Sequence, residues 1–152
     1  IDAEKGWVEP LAATGIPILQ NPAIPLVCRD TKFWVAGLEE LWWQHTDIER
    51  TLSSIPEEDS VILMMHNPDS FAEMPQRVAL SVAGHTHGGQ VRFPFIGAIK
   101  AVIPSKFGKR YLYGHIVEDG KDLIVSGGLG MTGLPIRFMM PPEITVVTLR
   151  GT

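Results

Sequence analysis

Short apolar runs separated by turn residues dominate the chain. Ala23 to Cys28 and Lys32 to Ala36 read as strands on either side of a turn at Arg29-Asp30, and Ile16 to Leu19 reads as a further strand before the turn pair Asn21-Pro22. From Leu38 the period changes. Leu38, Leu41, Trp42, Ile48, Leu52 and Ile55 fall mostly at three- and four-residue steps, which predicts a helix with one face on a core. Glu39 and Glu40 lie in its first turn, where carboxylates favour the positive helix end. Glu4 to Thr14 carries a weaker helical pattern that Pro10 interrupts.

Ser60 to Met65 is a continuous apolar run, the pattern of a strand buried on both faces. Phe71 to Arg77 predicts an irregular connection or helical turn, and Leu80 to Ala83 a second buried strand. Gly84 to Gln90 then reads GHTHGGQ, and a long loop rich in Pro and Gly runs from Phe93 to Lys109. Arg110 to Val117 predicts a strand before the turn signal Asp119-Gly120. Leu123 to Ser126 and Glu143 to Leu149 predict two more, with a glycine-rich segment, Gly127 to Gly133, after the first. Strand runs mixed with an amphipathic helix predict an α/β or α+β layered fold. No repeat, low-complexity stretch or linker divides residues 1–152, so a single domain or part of one is expected.

Composition narrows the options. The chain carries 13 basic and 17 acidic side chains, a net charge of −4, which argues against wrapping a nucleic-acid backbone. With 45% hydrophobic and 20% charged residues it is not a disordered chain. One cysteine, Cys28, excludes an intrachain disulfide and a cysteine-built zinc cage, and it reads as a core residue. No apolar run approaches the ~20 residues of a membrane span, and no signal-peptide pattern opens the sequence. The compartment is left open between cytoplasmic and membrane-associated. The chain starts Ile1-Asp2 rather than with methionine, so coding sequence upstream of Ile1 is expected.

Three of the five histidines share a context. His66 directly follows VILMM, and His85 and His87 follow LSVA by one glycine. Ligands collect where the strands of layered α/β proteins end. Neighbouring strands lie ~4.8 Å apart, so imidazoles reaching from both ends can meet one ion at bonds of about 2.0–2.1 Å. Gly84, Gly88 and Gly89 bracket the two histidines and admit backbone angles closed to other residues. In an extended strand His85 and His87 point to the same side; in a glycine-bent loop they diverge, one toward each of two metals. A strand-end histidine alone is usually structural, and HxH alone is a weak signal. The pair of strand ends together is much sharper. His45 and His115 read as structural or solvated, and Trp42 and Trp43 as helix packing.

SVILMMHNPD followed by LSVAGHTHGGQVRFP, then Leu134 to Phe138 (LPIRF) and Pro141 to Ile144 (PPEI), resembles the C-terminal half of a bacterial calcineurin-like metallophosphoesterase over essentially the whole chain. The resemblance implies a four-layer αββα sandwich with two divalent ions at the strand ends, hydrolysing phosphate mono- or diesters. It implies that His66 and His85 share one metal and that His87 ligates the other. It also implies that Asn67 and Asp69 shape their loop, with Asn67 near substrate, and that Arg137 faces the phosphate. The metals are left open among Mn, Fe, Zn, Ni and Co. The family's DxH, GDxxD and GNHD or GNHE motifs, which supply the other ligands and a catalytic histidine, do not occur here. Gly6 to Asn21 resembles the segment that follows GNHD, so no catalytic group is expected in this chain.

A charge argument agrees. Two divalent ions ~3.5–4 Å apart repel by on the order of 15–20 kcal/mol at an effective dielectric of ~20. Neutral imidazoles do not offset that, and the only carboxylate close in sequence to the histidines is Asp69. This chain alone is therefore expected to bind one ion weakly or none, and to be an inert fragment or a one-metal binding module unless complemented. The apolar residues Phe93, Phe95, Ile96, Ile99, Val102 and Ile103 lie close to Lys100, Lys106, Lys109 and Arg110. They read as an ordinary loop or as a lid facing a lipid-like phosphate or an anionic membrane. Strand edges left uncovered in a partial domain predict self-association.

Overall fold

The computed structural model describes residues 10–19, 23–39, 46–100 and 103–150. Its strands, in chain order, are β1 (Ala23–Cys28), β2 (Thr31–Gly37), β3 (Val61–Met64), β4 (Val78–Ala83), β5 (Arg92–Phe93), β6 (Gly97–Ala98), β7 (Gly114–Glu118) and β8 (Lys121–Val125). Six of them form one mixed sheet in the order β1-β2-β3-β4-β8-β7, and β5 and β6 pair separately. The expected α/β character is present: a mixed sheet with few helices.

The two-residue turns are where the sequence placed them. Arg29 and Asp30 (φ 47° and 70°) join β1 to β2, and Asp119 and Gly120 (φ 52° and 75°) join β7 to β8. Positive φ at both central residues matches the right-handed twist of the strands they connect. Between these hairpins, β2, β3, β4 and β8 run parallel. Parallel neighbours end on the same side, so β3 and β4 deliver their following residues to one rim.

The core lies on one face of the sheet. Ala36, Val61, Leu63, Val78, Ala83, Leu123 and Val125 pack with Leu52, Ile55, Phe71 and Tyr111. Phe71 and Tyr111 meet edge to face with ring centroids 5.6 Å apart, a favoured aromatic geometry. β3 is not buried on both faces as expected: Val61 and Leu63 are buried, but Met64 is 51% exposed. An apolar run fixes only that both faces are apolar. Among the described residues one face is fully covered and the other only in part, since Leu80 is buried there while Met64 is exposed.

Other expectations are corrected. Among the described residues the helix expected from Leu38 covers Ile48–Leu52, with the Asp47 side chain accepting from the Arg50 N–H at 2.8 Å at its start. Leu38 does not begin it; its N–H donates to the Met64 carbonyl at 2.8 Å and prolongs the β2–β3 ladder. Glu39 is likewise not helical, and Glu40, Trp42, Trp43 and His45 lie outside the described residues. Ile16 to Leu19 forms no strand; it passes so close to Gly37 that a β-carbon there would collide with Leu19. Arg110 to Tyr113 precedes β7 as a turn, held by Arg110 Nε and the Tyr111 hydroxyl donating to Glu118 at 2.8 and 2.7 Å. Glu143 to Leu149 joins no ladder, and Ile144 and Val146 are 79% and 84% exposed. A cleft of about 490 Å³ is lined by this segment together with Tyr113–His115 and Ile124–Val125. Cys28 is exposed, not core, because it ends an edge strand at a turn. Among the described residues no helix is long and apolar enough to cross a membrane.

Candidate metal centre

The parallel pairing of β3 with β4 continues past both strands. Met65 N–H donates to the Val82 carbonyl at 2.9 Å, and Gly84 N–H to the His66 carbonyl at 3.1 Å. His66 and His85 therefore leave the sheet side by side. Nδ1 of His85 lies 2.9 Å from Nε2 of His66, and the rings meet at 70° with centroids 4.7 Å apart.

The other nitrogen of His85 fixes its tautomer. Nε2 lies 3.0 Å from the Pro104 carbonyl. A carbonyl only accepts, so Nε2 carries the hydrogen and, in the neutral ring, Nδ1 presents a lone pair. Burial holds the His85 pKa below the usual imidazole value, against the Pro104 carbonyl and the Asp69 charge that favour protonation. Two nitrogens bonded to one ion at about 2.05 Å and a right angle sit about 2.9 Å apart. The 2.9 Å between His66 and His85 matches that separation; in this structure it is a hydrogen bond in which His66 Nε2 donates to the His85 Nδ1 lone pair. Among the described residues no group of three or more His, Cys, Asp or Glu side chains could hold an ion.

The GHTHGGQ loop departs sharply from strand geometry. His85, His87, Gly88, Gly89 and Gln90 have φ of 65°, 51°, 61°, 86° and 47°. The Thr86 hydroxyl donates to the Leu112 carbonyl at 2.7 Å and buries the middle of the loop. A β-carbon at Gly89 would collide with Ala98, and one at Gly88 would sit 2.7 Å from the Met140 sulfur. Gly89 is therefore required for space as well as for angle, whereas at Gly88 the flexible tip of Met140 can give way and the backbone angle favours glycine. His87 makes its own contact, with Nδ1 2.8 Å from Gln90 Oε1.

Two loops support these histidines. Asn67 caps the short 3-10 helix Pro68–Glu73, its Oδ1 accepting from the Asp69 N–H at 3.0 Å. Asp69 is buried, and its two oxygens accept from the Ser105 hydroxyl at 2.5 Å and the Lys106 N–H at 2.8 Å. That pins the loop whose Pro104 carbonyl meets His85. Arg137 folds onto the glycine-rich segment: its Nη2 donates to the carbonyls of Gly127, Gly128 and Gly130 at 2.7, 3.0 and 2.5 Å. Glu143 secures the same segment, accepting from the Gly127 N–H at 2.8 Å and the Tyr113 hydroxyl at 2.6 Å. The Tyr113 hydroxyl, then the Gly127 N–H, hold the Glu143 pKa below the usual carboxylate value. His115 is paired with Asp122 at 2.5 Å on the exposed β7–β8 surface, as a structural or solvated histidine would be.

Sequence reasoning did not single out Gln90, Pro104 or Ser105. Gln90 stood within the motif; Pro104 acts through its backbone, for which no side-chain signal exists. The cleft of about 690 Å³ beside Ile48–Leu52 has Asp47, Glu49, Glu57 and Glu73 in its wall and no histidine, a poor lining for a phosphate ester.

Comparison with known proteins gives the following. Over 144 residues the chain is 38% identical to a Bacillus subtilis protein, YkuE, described as an uncharacterized metallophosphoesterase; the match covers 93% of this chain and 49% of that protein. Over 144 residues it is 31% identical to the phosphodiesterase YaeI of Escherichia coli, covering 93% and 50%. An uncharacterized metallophosphoesterase of Aquifex aeolicus is 33% identical over 106 residues, covering 70% and 39%. The chain spans about half the length of the first two of these relatives. No family profile and no solved structure matches it.

Proposed function

Because the chain belongs to the metallophosphoesterase family, we propose that it contributes the histidine side of a centre that hydrolyses phosphate mono- or diesters. In such a centre a pair of divalent ions (Mn, Fe, Zn, Ni or Co) acidifies water and neutralises phosphoryl oxygens. His66 and His85 would hold one ion and His87 the other. Asp69 sets the loop that orients His85, and Arg137 shapes the neighbouring glycine-rich segment or meets the ester's phosphate beside Asn67. The observation that carries this reading is the 2.9 Å approach of His66 Nε2 and His85 Nδ1 at adjacent strand ends.

On this reading the anionic ligands come from outside the described residues, since three neutral nitrogens do not hold two dications together. Hydrolysis of an aryl phosphodiester with added Mn²⁺ tests this. The chain alone is expected to be inactive and to bind at most one ion. A second polypeptide carrying DxH, GDxxD and GNHD is expected to restore activity, and His66→Ala or His85→Ala to abolish it. Activity from the chain alone would refute the need for further ligands; no activity after complementation would favour a one-metal binding module.

A second reading concerns the surface around β5 and β6. Phe95 is fully exposed at the tip of their turn, with Ile96 beside it, and the Phe93 and Phe138 rings sit 6.0 Å apart at its base. With Lys100, Lys106 and Lys109 in the same loop, this favours a lipid-like ester or an anionic surface as partner. The exposed Leu26, Val27 and Met64 favour self-association of the isolated chain; a monomer in sedimentation would count against it.

A further inference from the structure

We infer that Gln90 is a positioning residue that fixes which nitrogen of His87 carries the hydrogen, leaving Nε2 as the nitrogen able to bind a metal. Its purpose rests on the proposed phosphoesterase centre; its geometry does not.

A glutamine amide has one accepting oxygen and a nitrogen with two hydrogens to donate. Which end is which can be decided here from backbone groups alone. The Thr132 N–H, which can only donate, faces Oε1 at 2.9 Å. The carbonyls of Thr132 and Leu134, which can only accept, face Nε2 at 3.1 and 3.0 Å. A flipped amide would set hydrogens against the Thr132 N–H and an oxygen against two carbonyls. The atom 2.8 Å from His87 Nδ1 is therefore an oxygen. An amide oxygen only accepts, so Nδ1 must carry the hydrogen, and in the neutral ring Nε2 is a lone pair.

His85 is preset in the opposite sense, with Nε2 hydrogenated toward Pro104 and the Nδ1 lone pair facing His66 Nε2. Two histidines separated by one residue thus offer different nitrogens. A free histidine side chain in water prefers the hydrogen on Nε2, so His87 is held in the less common form and needs a partner to hold it. Metal-binding histidines commonly donate their second N–H to such a partner.

The backbone keeps Gln90 in place for this task. Phe138 N–H donates to the Gln90 carbonyl at 3.0 Å, Arg92 N–H donates to the Phe138 carbonyl at 2.9 Å, and Val91 bridges Phe138. The segment from Thr132 to Phe138 is stitched to Gln90 through both side chain and main chain. The state of the His87 ring is thereby tied to a stretch more than forty residues away in sequence.

The test is long-range proton–nitrogen correlation of the imidazole rings in the ¹⁵N-labelled chain at about pH 8.5, above the ordinary imidazole pKa of about 6.5. His87 is expected to show hydrogen on Nδ1, and His85 on Nε2. Gln90→Met, similar in length but without hydrogen bonds, is expected to move His87 mainly to the Nε2 form; Gln90→Glu, which keeps an accepting oxygen, is expected to retain Nδ1–H. Hydrogen on Nε2 of His87 in the parent chain would overturn the inference, as would an unchanged ring in Gln90→Met. The parent measurement decides by itself should the methionine variant not fold. No metal or substrate enters this experiment, so failure of the complementation assay would remove the phosphoesterase reading without touching the Gln90 result, and the reverse.

Discussion

The hydroxyl of Ser105 donates to Oδ1 of Asp69 at 2.5 Å, tying the turn after β3 to a loop 36 residues further along the chain. The Lys106 N–H takes the other carboxylate oxygen, and the carbonyl just before this pair, that of Pro104, receives the His85 ring. Asp69 thus acts on His85 through the backbone.

Replacing Asp69 is expected to have two effects. Asp69→Ala removes the partner of the half-buried Ser105 hydroxyl and of the Lys106 N–H, and loss of such hydrogen bonds costs about 1 kcal/mol. Urea unfolding would read that loss. The His85 ring would also lose its fixed hydrogen position, visible by the same imidazole spectroscopy. An unchanged unfolding midpoint with an unchanged His85 ring would show that the loop holds itself.

For Arg137 the expected phenotype is local. Its guanidinium forks across three carbonyls, a geometry that a lysine ammonium does not reproduce. Arg137→Lys is expected to speed amide exchange from Gly127 to Gly130 and to lower stability by about 1–2 kcal/mol. If the arginine instead grips the phosphate, the exchange rates would stay as they are and KM of the complemented enzyme would rise.

Alkaline pH probes the β7 side of the sheet. The Tyr111 pKa is pushed up to about 12 by burial first and by the hydrogen bond to Glu118 second. The unfolded value is about 10. A folded pKa above the unfolded one means that the stabilisation is complete below about pH 10 and is lost as pH climbs toward 12. Glu118 runs the other way: the Tyr111 and Arg110 hydrogen bonds hold it below the usual carboxylate value, so its contribution is present at neutral pH and lost on acidification. Tyr111→Phe keeps the ring and is expected to flatten the alkaline fall in unfolding free energy. The same fall in both proteins would contradict this.

Vesicle pelleting addresses the exposed turn at Phe95. Phe95→Ser, and charge reversal of Lys106, Lys109 and Arg110 to glutamate, are each expected to reduce binding to anionic vesicles, with little binding to neutral ones. Binding that ignores charge reversal would leave the loop as ordinary surface.

The parts of this molecule that were legible in its sequence are those set by local chemistry. Arg29-Asp30 and Asp119-Gly120 marked two hairpins because the turns need unusual backbone angles at those positions. The meeting of His66 and His85 was readable because each follows a buried strand, and parallel neighbours end together. What was not legible depends on the partner. Met64 reads as buried until the cover on each face is known, and Glu143 to Leu149 reads as a strand but joins no ladder. Leu38 joins the sheet rather than the expected helix because its N–H found a carbonyl on β3. Gln90 was legible as a letter of a motif; its four contacts to His87, Thr132 and Leu134 required three dimensions.

His85 and His87 both hold left-handed backbone angles, which cost a residue with a β-carbon roughly 1–2 kcal/mol and cost glycine almost nothing. Selection for heat resistance alone would therefore drift these two positions toward glycine or asparagine. A laboratory that evolved this protein for toughness, without assaying its chemistry, would harden the rim by erasing the imidazoles on which the proposed centre depends.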